Sequence, residues 1–299
     1  MLDIGQQQQV TVTAYGKCII AGEHAVIRGG SAVVFPVTNR YVKVTYFSEE
    51  RPLTLVLDND CEPALALIFW GVLDTACAKI GLSRETLQGQ VSLANNIPLG
   101  RGMGFSAAFC VAITKWLVAL GYVDTPQLTA FAISLEDYFH GTSSGVDVVG
   151  SLSSQGVFFT GRVDTLVPIS PSWQPFLGLS HSGRVSVTSH CVKAVQAFCQ
   201  SQPEVALLID QDMQRACCMV RQALEEAHTG VEQLAGAIRL AHSCFDRWGL
   251  VPDEVATRIQ LLEKAGAIAV KMTGAGDGGY LLSLWKERPA DMAFDEVLF

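Results

Sequence analysis

Three glycines alternate at Gly100, Gly102 and Gly104 in the stretch NNIPLGRGMGFSAAFCVAI and run directly into small and apolar residues. Glycine weakens any regular element, so this density describes a backbone that something approaches closely. A phosphate is one such visitor: loop amides wrap it, and the helix that follows offers it the positive end of its dipole. Ser106, on the first turn, would then reach a magnesium ion held by those phosphates. A tight strand-to-helix turn whose glycines serve only close packing explains the loop equally well, so other segments must decide. Of two further phosphate motifs, one is excluded and the other fits less well. A Walker loop needs a glycine five positions before its Gly-Lys, and Thr11 stands there before Gly16-Lys17. Gly102 to Ala107 matches the dinucleotide fingerprint in letters, but Asn95, Asn96 and Pro98 precede it where that fold needs a buried apolar strand.

The elements that must position this loop follow from periodicity. VTVTAYGKCIIAG predicts a strand pair with a tight turn, and RYVKVTYF (Arg40 to Phe47) and LTLVLD (Leu53 to Asp58) predict further strands. A helix from Pro63 to Lys79 stops at Gly81, and QGQVSLANNIP then delivers the chain to the glycine loop as a strand. Ser106 to Leu120 reads as a helix with Gly121 as its C-cap. The next helix has Asp124 or Thr125 as N-cap, Pro126 at its first position and Gly141 as its stop. GVFFTG is a strand after a loop. PISPSWQP, Pro168 to Pro175, carries three prolines in eight residues and marks a domain boundary, giving domains of 1–170 and 171–299. Beyond it come a strand, FLGLS, and helices over His190 to Phe198, Glu204 to His228, Val231 to Trp248 and Asp253 to Lys264. AIAVKMTGAGDGGYLLSLW closes the chain as strand, glycine turn and strand. The fold class is α+β in two parts.

Composition narrows the partners. The 299 residues are 49% hydrophobic and 17% charged, which describes ordinary globular material with ample core. A formal net charge of -8 argues against nucleic acid, whose binding needs a basic surface, and leaves a small-molecule substrate. Nine cysteines form no CxxC pair, and Cys217 and Cys218 are adjacent, so a reducing compartment fits better than a disulfide framework. The six histidines make no HExxH and no Cys/His alternation of a zinc site. MLDIGQQQQV lacks a basic leader and no apolar run reaches membrane length, so the expectation is a cytoplasmic protein with no membrane partner. The hydrophobic content permits a homodimer face without locating one.

Four ordered segments carry a resemblance: YGKCIIAGEHAVIRGGSAV (Tyr15 to Val33), the glycine loop, EDYFHGTSSGVD (Glu136 to Asp147) and KMTGAGDGGY (Lys271 to Tyr280). Together they resemble the GHMP small-molecule kinases, whose motifs are PGKxxLxGEHAVxxG, PxGxGLGSSAA and KxTGxGxGG. Within that family the chain is most similar to the mevalonate kinase branch, on Gly22-Glu23-His24, on the His140 to Asp147 pattern and on Thr188 in LSHSGRVSVTSHCV. The resemblance implies a two-domain fold, with a ribosomal protein S5 domain 2-like N-terminal domain and a ferredoxin-like C-terminal domain. It implies ATP and Mg2+ as cofactors, and the 5-hydroxyl of mevalonate as phosphoryl acceptor. Phosphomevalonate or another small alcohol is the alternative within the family, and a non-catalytic nucleotide-binding regulator the alternative to catalysis.

Phosphoryl transfer needs positioning, charge neutralisation and a destination for the alcohol proton. Asp147 is suited to take that proton, and Lys17 to hold the hydroxyl and offset charge on the transferred group. Ser106 and Glu136 supply hard oxygens for magnesium, and the resemblance assigns the same four positions. Nucleotide contacts are expected from Pro98, Gly100, Arg101, Gly102, Met103, Gly104, Phe105, Ser106 and Ala107. Acceptor contacts are expected from Lys17, Glu23, His24, Asp147, Thr188, Gly274, Ala275 and Gly276. Blander roles stand beside these: Lys17 as a surface charge, Asp147 as a turn cap, Glu136 or its neighbour Asp137 facing water, His24 as a satisfied interior histidine. The chain departs from the family at Tyr15, Arg101, Phe105, Ser143 and Val148. Phe105 removes a loop hydroxyl, and Val148 bears on the acceptor. A second phosphate on the acceptor would demand more cleft cations, for which Arg28, Lys43 and Arg184 are candidates.

Overall fold

The computed structural model describes residues 9–58, 61–140, 143–162, 165–226 and 230–298. Its first layer is a six-stranded sheet in the order β3-β4-β2-β5-β6, with β1 also paired to β2. Here β1 is Gln9–Ala21, β2 Ala32–Pro52, β3 Thr54–Leu57, β4 Gln88–Asn95, β5 Val157–Phe159 and β6 Leu166–Pro168. The expected strand pair in VTVTAYGKCIIAG is instead one 13-residue strand. Its register on β2 jumps between Tyr15, opposite Tyr41, and Gly16, opposite Val37, so β2 bulges where β1 runs on. The lost alternation from Gly16 to Ala21 has a physical cause: all six residues are buried, because both faces of the strand are covered there.

Four helices belong with this sheet: α1 (Ala64–Lys79), α2 (Phe105–Ala119), α3 (Leu128–His140) and α4 (Val146–Leu152). Central among them is α2, buried on nearly every side from Phe105 to Leu117 and packed on β1, β2, α3 and α4. Pro126 sits in a short 3-10 turn that leads into α3. The expected stop at Gly141 and the helix end at His228 lie outside the described residues. Two further elements differ from expectation. Asp147 sits in the first turn of α4, not in a loop, and β6 is a three-residue edge strand too short to show a period.

The second sheet is antiparallel, in the order β10-β7-β9-β8, from β7 (Phe176–His181), β8 (Ala269–Thr273), β9 (Tyr280–Trp285) and β10 (Glu296–Val297). Between β7 and β8 run α5 (Thr188–Ser201), α6 (Pro203–Glu225), α7 (Gly230–Arg247) and α8 (Asp253–Lys264). Helices α6 and α7 pack together and both reach back to β1. One continuous apolar cluster therefore runs from Ala14 through α2 to Leu284. Residues up to Pro168 build the first sheet and residues from Phe176 the second, and the cavity described next opens where β1, the glycine loop and the β8–β9 turn meet.

Candidate active site

Gly100, Gly102 and Gly104 all take left-handed φ, at 66°, 89° and 76°. A Cβ on Gly104 would stand 2.6 Å from Cγ of Lys17, whereas one on Gly100 would meet nothing within 4 Å. Gly104 thus serves close packing, while Gly100 borders open space. The amide of Lys17 donates to the carbonyl of Met103 at 2.9 Å and ties the loop to β1.

The Lys17 side chain runs under Gly104 and ends with Nζ 2.8 Å from Oδ1 of Asp147. The lysine side chain is 3% exposed and the aspartate 31%, so the pair opens on one side only. Burial pushes the Lys17 ammonium down, but the Asp147 carboxylate outweighs it and the net shift is upward. Ser143 and Ser144 accept hydrogen bonds from the amides of Gly145 and Val146 at 3.1 and 3.4 Å and so start α4. Ser143 also donates from Oγ to Oε2 of Glu136, a fully buried carboxylate. Burial, and then the negative charge of Asp147, push the Glu136 carboxyl up to about 8.

A cavity of about 250 Å³ joins these groups. Lys17, Glu23, His24, Pro98, Gly100, Arg101, Gly102, Gly104, Phe105, Ser106, Glu136, Asp147, Thr188, Gly274 and Ala275 line it, which brings together most of the residues singled out in the sequence. Three expected contacts are not brought there. Met103 and Ala107 are buried in the apolar core, and Gly276 lies beyond the lining, where a Cβ would press on Leu250.

The residues matched by a family model for the GHMP kinases N terminal domain are 68–155, and those matched by the model for GHMP kinases C terminal are 220–297, together more than half of the chain. The chain belongs to the GHMP kinases. It is 28% identical to the mevalonate kinase of Aeropyrum pernix, with 96% of this chain and 91% of that one covered. It is 26% identical to the mevalonate kinase of Thermococcus sibiricus, covering 95% of this chain and 92% of that one. Its fold is similar to that of L. major mevalonate kinase in complex with R-mevalonate, with a TM-score of 0.77 at 19% identity, covering 95% of this chain and 89% of that one.

In this GHMP kinase the Gly-Glu-His stretch faces the cavity while being held from behind. His24 takes φ 58°, unusual for a residue with a side chain, and Nε2 donates to the carbonyl of Ala275 at 2.8 Å. Burial lowers its pKa to about 4, so the ring is neutral and packed edge-on to Phe245 and Trp248. Glu23 meets Nζ of Lys271 at 2.5 Å, with both side chains sealed from solvent. Lys271 heads the KMTGAGDGGY segment without a role of its own in the sequence, although a lysine inside AIAVKMT is as out of place as one before CIIAG. Ser143 stands out in the sequence only as a departure from the family pattern. Phe139 and Val192 complete the apolar wall and carry no local signal beyond helical periodicity.

Proposed function

We propose that this GHMP kinase transfers the γ-phosphoryl group of ATP to the 5-hydroxyl of mevalonate, releasing ADP and 5-phosphomevalonate. The observation that carries the proposal is the Lys17–Asp147 pair at 2.8 Å, open on its aspartate side to a cavity floored by the glycine loop. Full-length relatives named mevalonate kinase support the acceptor. So does the charge of the cavity: among its described lining residues only Lys17 and Arg101 are formally cationic. Arg28 is engaged by Asp210, Arg184 by Asp277 and Glu254, and Lys43 lies over the ring of Tyr41. An acceptor that carries a phosphate beside its carboxylate, such as phosphomevalonate, finds no third cation among those lining residues.

Asp147, with Oδ1 engaged by Lys17, offers Oδ2 to the acceptor hydroxyl and takes its proton as the new oxygen–phosphorus bond forms. The bond from γ-phosphorus to the bridging oxygen breaks, and its electrons leave with ADP. Lys17, rigidly held by Gly104 and Asp147, presents positive charge to the alkoxide and the transferred group without reorganising. Amides of the 100–104 loop and the start of α2 hold the phosphates.

A magnesium ion fits the donor set. Glu136 is a buried carboxylate whose own charge is disfavoured, which a divalent cation would relieve, and Ser106 adds a hydroxyl on the same cavity. No cluster of three acidic, His or Cys side chains exists among the described residues, so the remaining ligands would be phosphate oxygens and water. Bound there, magnesium would neutralise phosphate charge.

Release of ADP by the purified protein with Mg-ATP, compared across mevalonate, phosphomevalonate, homoserine and galactose, tests the proposal. Turnover with mevalonate alone is the expected result; preference for another alcohol sinks the acceptor assignment and leaves the kinase chemistry standing.

A further inference from the structure

Between β7 and α5 the chain runs from Ser182 to Val187 along the outside of the 274–279 glycine turn. Apolar burial does not hold it there, because Val185 and Val187 are 60% and 47% exposed. Polar contacts do. Arg184 donates from Nε to the carbonyl of Asp277 at 2.8 Å and from Nη2 to Oδ1 of the same residue at 3.0 Å. Its own carbonyl accepts from the amide of Gly279 at 2.8 Å, and the amide of Ser182 donates to the Gly279 carbonyl at 2.9 Å. Ser186 adds a bond from Oγ to the carbonyl of Gly276 at 2.5 Å.

The clamp closes on a strained turn that the amide of Asp277 also ties to the carbonyl of Leu250 at 2.9 Å. Asp277 takes φ 61°, a conformation disfavoured for residues with a side chain, and a Cβ on Gly278 would stand 2.7 Å from the Arg184 carbonyl. From there the contact passes inward. A Cβ on Gly279 would be 2.8 Å from the carbonyl of Arg101, and one on Gly274 3.5 Å from Cα of Gly102. The two glycine loops therefore touch backbone to backbone, with no side chain between them to absorb a displacement.

Resting on the reading of residues 100–104 as the nucleotide loop, we infer that Arg184 is a positioning residue for nucleotide binding. Acting through Asp277, it holds the 274–279 turn where the 100–104 loop closes on phosphate. Arg184 does not line the cavity and takes no part in the proton transfer. The role needs a planar fork, since a backbone carbonyl and a carboxylate are gripped at once, and an ammonium can satisfy only part of that geometry.

Calorimetric titration of Mg-ADP, without acceptor, into the wild type, Arg184→Ala, Arg184→Lys and Glu254→Ala tests the inference. Arg184→Ala should weaken Mg-ADP about tenfold, equivalent to about 1.4 kcal/mol. Arg184→Lys should recover part of that loss, and it preserves the charge if the alanine variant fails to fold. Glu254 reaches Arg184 at 3.4 Å but not the turn, so Glu254→Ala should bind as the wild type does. In steady state the KM for ATP should rise alone, with the acceptor KM within about twofold and the thermal midpoint within about 2 °C. Unchanged Mg-ADP affinity in Arg184→Ala, beside normal binding by the wild type, overturns the inference and spares the function. A loss shared by both KM values and the midpoint also overturns it, as a general structural defect. No Mg-ADP binding by the wild type overturns the nucleotide reading itself.

Discussion

Two lysines are buried on strands, each against one carboxylate, and they differ in what lies on the far side. Lys17 meets Asp147, whose side chain is 31% exposed and faces the cavity; Lys271 meets Glu23, and although Glu23 borders the cavity neither side chain of that pair is more than 2% exposed. A buried ion pair is a weak source of stability, because desolvation consumes most of the Coulombic gain. The sealed pair makes sense as a rivet between β8 and the end of β1, where Lys271 also approaches the Ile19 carbonyl and the ring of Phe245. The half-open pair makes sense as chemistry, since one partner is left able to receive a proton. Opposite perturbations should therefore separate them: loss of charge at the first should remove turnover and spare the fold, and at the second do the reverse.

The largest effect is expected from Asp147→Asn. It removes the proton acceptor while keeping shape, so turnover should fall by about 10³ to 10⁴ while Mg-ADP binding stays near wild type. Single-turnover kinetics checks this, and near-normal turnover would return Asp147 to the role of helix-start residue. The matching break at the sealed pair is Lys271→Met, which strands a buried carboxylate and should cost about 3–5 kcal/mol in urea unfolding. Burial already pushes the Glu23 carboxyl up, and Lys271 opposes it most strongly, ahead of a backbone hydrogen bond and the charge of Lys17. Freed of the lysine, Glu23 takes a proton below its raised pKa, so the loss should be smaller at pH 5 than at pH 8. A loss independent of pH would show that packing, not charge, is what Lys271 supplies.

Between the two pairs lies His24, next to Glu23 in sequence and bonded to the turn that follows β8. Its pKa of about 4 lies below its ordinary value of 6.5. The stabilising contribution is therefore present above pH 6.5 and is lost as pH falls towards 4, by up to about 3 kcal/mol. His24→Gln keeps a donor near the position of Nε2 and cannot titrate. Its unfolding free energy should change less than that of the wild type between pH 7 and pH 4.5; equal slopes would place the acid sensitivity elsewhere.

What the sequence disclosed follows the same division. Lys17 is legible because a cation before an apolar run breaks a local pattern, whereas Glu136, beside Asp137 on a helix, and Asp147, which a turn cap would also explain, stand out through the four-segment resemblance. Lys271 breaks a pattern in the same way as Lys17, but strand on one side and glycine turn on the other account for its neighbours and give it no role of its own. The helix carrying Asp147 was hidden by composition: Gly and Ser at both ends of seven residues read as loop, and its burial against β1 and α2 is a tertiary effect that propensity does not carry. The register jump between β1 and β2 was equally out of reach, since two-sided burial erases the period from which strand faces are read.

The smallest stability effect, and the sharpest test of the contrast, is Gly104→Ala. At φ 76° the added methyl costs about 1–2 kcal/mol of backbone strain wherever it points. Here it points at the Lys17 stem, 2.6 Å from Cγ and 2.9 Å from Cε, and a stem held between Gly104 and Gly150 has little room to yield. Nζ must then leave Asp147, so kcat should fall by at least about tenfold, more than the modest loss in unfolding free energy would suggest. If kcat holds while stability falls by the strain alone, the lysine adapts, and the rigidity ascribed to the half-open pair is not what turnover requires.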